Sequence, residues 1–402
     1  MGETRRGLRA AIALMATIAA CLAFAACGGG SSDDGADDRR SAGESTGVAA
    51  AKANLERLYA GTSVPPPSDS PPPAEGKNVW IISLAQNYSP ANLTVTATDR
   101  AARAMGWRTT VFDGKGNSET FLTGVRQAVA SGADGVVMVF IDCALVKSGA
   151  REASRAGVTV VGLQTQTCED RRTSTPALYD HVVTYEPSFY DYDDGTFGNH
   201  FKAWSAAQAD WLIGETDGRA KVIDFYETDA AVTILQDRGF KEQLATCSTC
   251  EVVETVPFTV ADLGPSLQQK AEQAILQNPD ANSVVVPADG VLTAGVAAAI
   301  QASGRDLLVA GGEGQLPNVE LIHEDKGQDM ISGQPLQWDG YAAIDAMNRL
   351  FNRTEPVSSG IGLQVIDRDH NLPAKGEHYA PLSNGEPIDY AALYAEAWRS
   401  AK

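Results

Sequence analysis

Residues 131–140 read Ser-Gly-Ala-Asp-Gly-Val-Val-Met-Val-Phe and mark the end of a helix and the start of a strand. The pattern predicts a helix over 119–131 that ends at Gly132, followed by a strand over 135–140. The residues after Gly135 are all apolar, with no alternation of polar side chains. Such a run is buried on both faces, which is typical of a parallel sheet covered by helices on each side.

The same alternation of strand and helix continues along the chain in two series. The first series contains the predicted strands 79–84, 107–113, 135–140 and 158–163, separated by the predicted helices 93–105, 119–131 and 144–156. The second contains the predicted strands 220–226, 252–257, 283–286 and 307–310, with predicted helices at 197–213, 265–277 and 291–302 and another that ends at 246. We therefore predict an α/β fold of two doubly wound parallel-sheet lobes.

The N-terminus carries an export signal. Arg5, Arg6 and Arg9 precede a short apolar run over 10–26, which predicts a signal peptide over 1–26 rather than a membrane-spanning helix. Cys27 follows Ala25-Ala26 directly and resembles the lipobox of bacterial lipoproteins, in which the cysteine is acylated. A plain secretory signal with an incidental cysteine is the alternative.

Residues 27–76 are predicted as a flexible, Pro-rich linker that is lipid-anchored at its start. Residues 28–38 are small or acidic, and two runs of three prolines follow residue 64. A short helix is predicted over 49–59, with Leu55 and Leu58 on one face, and docking of that face on the folded body is left open. The folded part should begin near Lys77.

Charge and motif content exclude several classes of protein. The formal net charge is -19, and such an acidic chain repels nucleic acid and anionic membranes. The chain lacks the G-x-S-x-G, G-x-x-x-x-G-K and H-E-x-x-H motifs. The acidic run 191–195 does not match an EF-hand loop, because Tyr190 and Phe201 would occupy its first and last positions. We therefore predict no enzymatic activity, no catalytic residues, no cofactor and no metal site.

Four cysteines follow the export signal. Two pairs are evident, Cys143 with Cys168 and Cys247 with Cys250, and disulfides are the default in an oxidising compartment. A redox Cys-x-x-Cys motif is the alternative for the second pair. That alternative is disfavoured because the second pair closes a predicted helix instead of opening one.

Polar side chains follow several of the predicted strands. Open parallel sheets bind ligands at the carboxyl ends of their strands. The residues found there are Gln86-Asn87-Tyr88-Ser89, Asp142, Gln164-Thr165-Gln166, Tyr226-Glu227-Thr228-Asp229, Asp289 and Glu313. This set of amides, hydroxyls, carboxylates and an aromatic ring suits hydrogen bonding to hydroxyl groups. The alternative is that they are solvated loop residues.

Four segments, the first of them within the stretch 131–140 quoted above, carry a resemblance to a known family. They are Ser131 to Met138, Arg238-Gly239-Phe240-Lys241-Glu242, Pro287-Ala288-Asp289 with Gly295, and Val309 to Gly314 with Gln334 and Gly340-Tyr341. In order and spacing they resemble the type I periplasmic sugar-binding family (ribose-binding-like) over residues 77–372.

The resemblance implies two lobes joined by a three-segment hinge, with the ligand between them. The N-terminal lobe would comprise 77–188 and 335–360, the C-terminal lobe 189–334 and 361–402, and the crossings would fall near 185–193, 334–337 and 358–362. The implied ligand-binding residues are Asn87, Tyr88, Ser89, Asp142, Gln164, Thr165, Glu227, Asp289, Glu313 and Gln334. Such a protein would be a monomer that touches the membrane through its lipid alone and passes its ligand to an ABC permease.

Several positions depart from the family pattern. Gln164-Thr165 stands where the family has an Asp-Arg pair, Ala288 replaces an asparagine, and Glu313 replaces an aspartate. Charge-assisted hydrogen bonds are roughly twice as strong as neutral ones, so the first change weakens the case for a simple sugar. A sugar stays the first prediction. A nucleoside or another ring compound, and a sensory role at a membrane receptor, are the alternatives. Ring-stacking candidates near the crossings are Trp204, Trp338, Tyr190 and Tyr192.

Overall fold

The computed structural model describes residues 37–168 and 177–401, and for 37–46 it describes the backbone alone. The helices are α1 (Asp37–Ala60), α2 (Ser89–Ala104), α3 (Ser118–Ala130), α4 (Lys147–Arg155), α5 (Phe197–Glu215), α6 (Ala231–Leu244), α7 (Pro265–Gln277), α8 (Asp289–Val291), α9 (Ala297–Ser303), α10 (Leu316–Glu324), α11 (Leu336–Phe351) and α12 (Tyr390–Ser400). A π-helical turn, Leu292–Val296, joins α8 to α9.

The first lobe is built on a five-stranded parallel sheet. In spatial order its strands are β2 (Arg108–Asp113), β1 (Asn78–Ser83), β3 (Gly135–Val139), β4 (Thr159–Leu163) and β5 (His181–Val182). Every residue of the inner strand β3 is buried, as its unbroken apolar run predicts. The parallel pairings of β1, β3 and β4 place their carboxyl ends at one edge of the sheet.

The second lobe is built on a six-stranded sheet. In spatial order its strands are β11 (Val365–Asp367), β10 (Met330–Gly333), β9 (Leu308–Glu313), β8 (Ser283–Val285), β6 (Lys221–Glu227) and β7 (Glu251–Phe258). The strands β6 to β10 are parallel, whereas β11 pairs antiparallel to β10 because the chain re-enters this lobe from the opposite direction. The predicted two-lobe α/β fold is confirmed.

Backbone hydrogen bonds join two of the predicted crossings. Glu186 N donates to Ile361 O at 2.8 Å, and Ser359 N donates to Thr184 O at 2.9 Å. The remaining crossing leads from β10 into α11, which packs on α2 of the first lobe. Apart from the C-terminal helix described below, the residue boundaries predicted for the two lobes stay a prediction.

The prediction of a flexible linker is wrong for residues 47–76. Leu55 and Leu58, on one face of α1, are 4% and 0% exposed because that face packs against the second lobe. Tyr59 Oη donates to Asp367 at 2.6 Å. The proline runs expose carbonyl oxygens, and Asn348 Nδ2 of α11 donates to Pro71 O at 2.8 Å. Residues 47–76 are hereafter called the strap.

The C-terminal helix departs from its predicted lobe. Helix α12, predicted within the second lobe, packs on α11 of the first lobe, where Trp398 Nε1 donates to Asp345 at 3.0 Å. The rings of Tyr341 and Trp398 stack 6.0 Å apart. Aromatic burial therefore holds this end of the chain. A short hairpin precedes the helix, formed by β12 (Leu382–Ser383) and β13 (Glu386–Pro387).

Both predicted cysteine pairs are bonded. Cys143 bonds to Cys168 and Cys247 bonds to Cys250, with Cα atoms 5.2 and 5.4 Å apart. Within residues 37–168 and 177–401, no helix is both long and apolar enough to cross a membrane. The predicted signal peptide over 1–26 and the predicted lipidation site Cys27 lie outside the described residues.

Candidate functional site

The cleft between the lobes brings an aromatic ring of the first lobe close to carboxylates of the second. Tyr88 directly precedes α2, and Glu313 and Glu227 end β9 and β6. Burial, and next the charges of Glu313 and Glu227, raise the pKa of Tyr88 well above its ordinary value. The three predicted residues therefore share one site.

Glu313 has an uncommon backbone conformation at the end of β9. Its φ of 89° lies in the region that disfavours side chains, so the surrounding structure must hold it there. Gln315 Nε2 donates to Glu313 Oε2 at 3.3 Å. Burial, followed by the charge of Asp289, raises the pKa of Glu313 to about 8. At neutral pH its carboxyl is mainly protonated and can both donate and accept hydrogen bonds.

Asp289 holds the loop that presents Glu313. Its carboxylate is fully buried and accepts from the backbone N–H groups of Gly312, Gly314 and Gln315 at 3.0, 2.8 and 2.8 Å. Gln328 Nε2 donates to it at 3.0 Å. Burial raises the pKa of Asp289 to about 7, against the lowering effect of these donors. The geometry gives Asp289 a positioning role.

A second polar cluster lies at the crossing into α11. Gln334 Nε2 donates to Asp339 Oδ2 at 2.9 Å, and Gln164 Nε2 of the first lobe donates to the same oxygen. All three side chains are buried. Gln334 Oε1 and Asp339 Oδ1 have no hydrogen-bond partner in the structure. Two buried acceptors in this cluster are therefore without a donor from the described residues.

Two buried rings join this cluster. Tyr185 and His200 stack with ring centroids 4.1 Å apart, and neither the Tyr185 hydroxyl nor the His200 nitrogens have a partner. Burial lowers the pKa of His200 to about 3, and the neighbouring side chain of Gln334 opposes the shift. The imidazole is therefore neutral at physiological pH.

A small cavity opens between the two clusters. Its volume is about 50 Å³, enough for water molecules but far below the roughly 300 Å³ at which ligand pockets begin. Its walls include Glu313, Gln315, Gln334, Gln337, Tyr379 and Tyr390. A ligand the size of a sugar therefore does not fit into this cavity as it stands. Among the described residues, no group of His, Cys, Asp and Glu side chains is arranged to hold a metal ion.

Comparison with known families supplies the identification. The family model described as "Periplasmic binding protein domain" matches residues 92–355, well over half of the chain. The chain belongs to the periplasmic binding protein family. The resemblance carried by the four quoted segments is thereby confirmed. A search of curated proteins finds no match.

Solved structures share the fold at low sequence identity. A solute-binding protein from Bacillus halodurans C-125 with bound myo-inositol has a TM-score of 0.60 at 15% identity, covering 74% of this chain and 96% of its own. The arabinose ABC transporter component from Shewanella sp. ANA-3 gives 0.60 at 16%, covering 73% and 92%. The 5-methylthioribose transporter protein from Thermotoga lettingae TMO gives 0.61 at 15%, covering 83% and 95%.

Some predicted residues of this periplasmic binding protein support the loops around the cleft. Thr165 Oγ1 donates to Ile141 O at 2.7 Å and to Asp142 Oδ1 at 3.0 Å, and Asp142 also accepts from Gln166 N at 2.7 Å. The two side chains therefore fix the loop that the Cys143–Cys168 bond also closes. Asn87 and Ser89 are exposed at the start of α2. Direct ligand contacts for all four stay a prediction.

The ring candidates near the crossings mainly pack in the interior of the binding protein. Trp204 is buried, and its Nε1 donates to Gly333 O at 3.2 Å. Tyr190 Oη donates to Asp210 at 2.6 Å, while the Tyr192 ring carries Lys202 Nζ 4.3 Å from its centre. Trp338 differs, because its buried Nε1 has no partner.

Sequence reasoning missed several residues of the site. Asp339 and His200 follow no strand end, and Tyr185 follows the short strand β5, which the sequence did not predict. Tyr379 and Tyr390 lie outside the segments that carry the family resemblance. Asp339 did carry a usable signal. It is a carboxylate in the first turn of a largely apolar helix, directly after a crossing.

Proposed function

We propose that this protein is an extracytoplasmic solute-binding lipoprotein that acts by binding and not by catalysis. It captures a small polar ligand, in the first place a sugar, and delivers it as a monomer to an ABC importer. The observation that carries this proposal is the pair of buried, unpartnered acceptors, Gln334 Oε1 and Asp339 Oδ1, at the crossing between the lobes. Buried acceptors without a donor are rare in native proteins, and sugar hydroxyls would supply the missing donors.

Hinge closure is the proposed mechanism. Gln334 and Asp339 lie at the crossing, Glu313 belongs to the second lobe and Tyr88 to the first, so a bound ligand would bridge them. A ligand that bridges both lobes binds the closed form more tightly and shifts the population toward it. The closed form is then the species that the permease distinguishes from the empty protein. The sugar- and polyol-binding proteins among the structural neighbours support this choice of ligand.

A thermal-shift screen with the chain from residue 28 onward tests the ligand class. The panel contains pentoses, hexoses, disaccharides, polyols, nucleosides and amino acids. A ligand at 100 times its dissociation constant should add about 2.7 kcal/mol to the free energy of unfolding. Stabilisation by a pentose, hexose or polyol supports the proposal. Stabilisation by nucleosides or amino acids alone overturns the sugar assignment.

Gln334→Ala is expected to weaken binding of the ligand found in that screen about tenfold, because one net hydrogen bond contributes about 1 kcal/mol and often more when buried. The matched control is Gln301→Ala, since Gln301 is exposed on α9 in the second lobe. Isothermal titration calorimetry measures both variants. Equal affinities for Gln334→Ala and Gln301→Ala would remove Gln334 from the proposed site.

The lipid anchor on Cys27 is part of the proposal and places the protein on the outer face of the bacterial cell membrane. Cys27→Ser removes the thiol that would be acylated. We expect the wild-type chain to sediment with the membrane fraction and the Cys27→Ser chain to appear in the soluble extracytoplasmic fraction. A serine variant that still sediments with membranes contradicts the anchor.

A further inference from the structure

The C-terminal part of the chain builds one wall of the cavity. Residues 378–390 lie beyond the segment 92–355 that matches the family model. Four of their side chains line the cavity between Glu313 and Gln334: His378, Tyr379, Pro381 and Tyr390. This wall, defined as residues 373–390, therefore lies outside the segment that matches the family model.

Tyr379 is the residue of this wall that contacts the loop carrying Glu313. Its ring lies against the backbone of Gly314 and Gly333, where an added Cβ atom would come within 2.6 and 3.0 Å of it. Glycine is favoured at position 314 for two reasons, because a Cβ there would clash with the ring and because its φ is 87°. The Tyr379 hydroxyl has no hydrogen-bond partner. Burial, and next the charge of Asp339, raise its pKa well above the ordinary value.

The wall is fixed at both ends and in the middle. His323 of the second lobe approaches Pro373 O at 2.8 Å through its Nε2. Gln364 Oε1 accepts from Leu382 N at 2.9 Å. At the far end, the Tyr390 ring stacks on Trp338 of the first lobe, with centroids 5.1 Å apart. Tyr379 is therefore presented by an ordered segment that contacts both lobes.

We propose that Tyr379 is a specificity-determining residue that limits the ligand to the size of a single sugar ring. The inference rests on the proposed function, because it assigns a size limit to the same cleft. The ring forms one wall of the cavity that lies between Glu313 and Gln334, so a second sugar ring attached to the ligand on that side would overlap it. The phenol hydroxyl then meets a hydroxyl of the bound ring.

Tyr379→Ala and Tyr379→Phe are compared with the wild-type chain. Calorimetry uses matched probes that share one unit: D-galactose with lactose, D-glucose with maltose, and myo-inositol with galactinol. We expect the wild type to bind one single-ring probe at least 100-fold more tightly than its two-ring partner. Tyr379→Ala should reduce that preference below tenfold, whereas Tyr379→Phe should keep it because the ring remains.

Two outcomes overturn the size limit and leave the proposed function standing. One is a wild type that binds a two-ring probe as tightly as its single-ring partner, and the other is an unchanged preference in Tyr379→Ala. Should the thermal-shift screen identify a pentose, that pentose and a disaccharide that contains it replace these probe pairs. Absence of binding to every probe by all three chains, with no stabilisation by any sugar or polyol in the screen, overturns the sugar proposal and the size limit together. Should Tyr379→Ala fail to fold, Tyr379→Val keeps an apolar contact with Gly314 and Gly333 and is measured in its place.

Discussion

Alanine in place of Asp289 is expected to lower the free energy of unfolding by about 4 kcal/mol. Three backbone N–H groups and the Gln328 amide donate to this buried carboxylate. Each buried donor left without an acceptor costs about 1–3 kcal/mol, and the fully buried site offers them no solvent. Denaturant unfolding measures the loss. Because the loop that carries Glu313 would no longer be held, we also expect ligand binding to weaken by about 100-fold or more.

Two matched variants separate this role from a general effect of mutation. Asp289→Asn keeps one accepting oxygen but turns an amide toward a donor, so its expected cost is about half that of alanine. Asp280→Ala removes an exposed carboxylate from the same lobe and should change stability by no more than about 0.5 kcal/mol. A chain with Asp289→Ala that unfolds within 1 kcal/mol of the wild type, about the worth of one hydrogen bond, would refute the positioning role.

Asp289 also illustrates how far the sequence predicts the site. Its position after β8 follows from the alternation of strands and helices along the chain. That alternation can be predicted from the sequence because each element is set by the pattern of apolar residues within about ten neighbouring positions. The direction of its carboxylate is not local. Its donors lie at least 23 positions further along the chain, so only the folded loop decides that its oxygens face backbone N–H groups.

Gln334 and Asp339 show the complementary case. The family resemblance predicts Gln334 at a crossing. In the structure the side-chain amides of Gln334 and Gln164 both donate to Asp339, which lies 175 positions after Gln164 in the chain. Asp339 was not predicted because parallel sheets are expected to bind ligands at the carboxyl ends of their strands, whereas Asp339 lies in the first turn of the helix α11. Tyr379 went unpredicted because no periodic pattern surrounds it. Its position depends on the contacts of the wall with Gln364 and Trp338.

The strap was mispredicted for a physical reason. Composition predicts a flexible tether for the acidic residues 28–38. It gives no sign that the two proline runs contact the folded part of the chain, so they were predicted to be a spacer. An extended proline segment leaves its carbonyl oxygens free to accept, and Asn348 of α11 donates to Pro71 O. Arg349 of the same helix donates to the carboxylate of Asp69, between the two proline runs. The stripe formed by Ala51, Leu55 and Leu58 has helical spacing and is buried in full. Residues 47–76 thus belong to the folded body.

Removal of the strap is consequently expected to destabilise the protein by at least about 5 kcal/mol. A chain that starts at Lys77 loses the burial of Leu55 and Leu58, each of which contributes about 1.5–3 kcal/mol. It also loses Asp69, which pairs with the buried guanidinium of Arg349 at 2.7 Å. Thermal unfolding should show a midpoint at least about 10 °C below that of a chain that starts at residue 42.

Point variants locate the effect within the strap. Leu58→Ala in the full chain should lower the free energy of unfolding by about 3 kcal/mol through the cavity it leaves, whereas Leu276→Ala should be nearly neutral because that side chain is 81% exposed.

The strap contacts the second lobe through Tyr59 and the first lobe through Asp69, so its removal should also make the lobes separate more easily. Equal melting midpoints for the chains starting at 42 and 77 would mean that the strap contributes nothing to the fold, and the original boundary at Lys77 would stand.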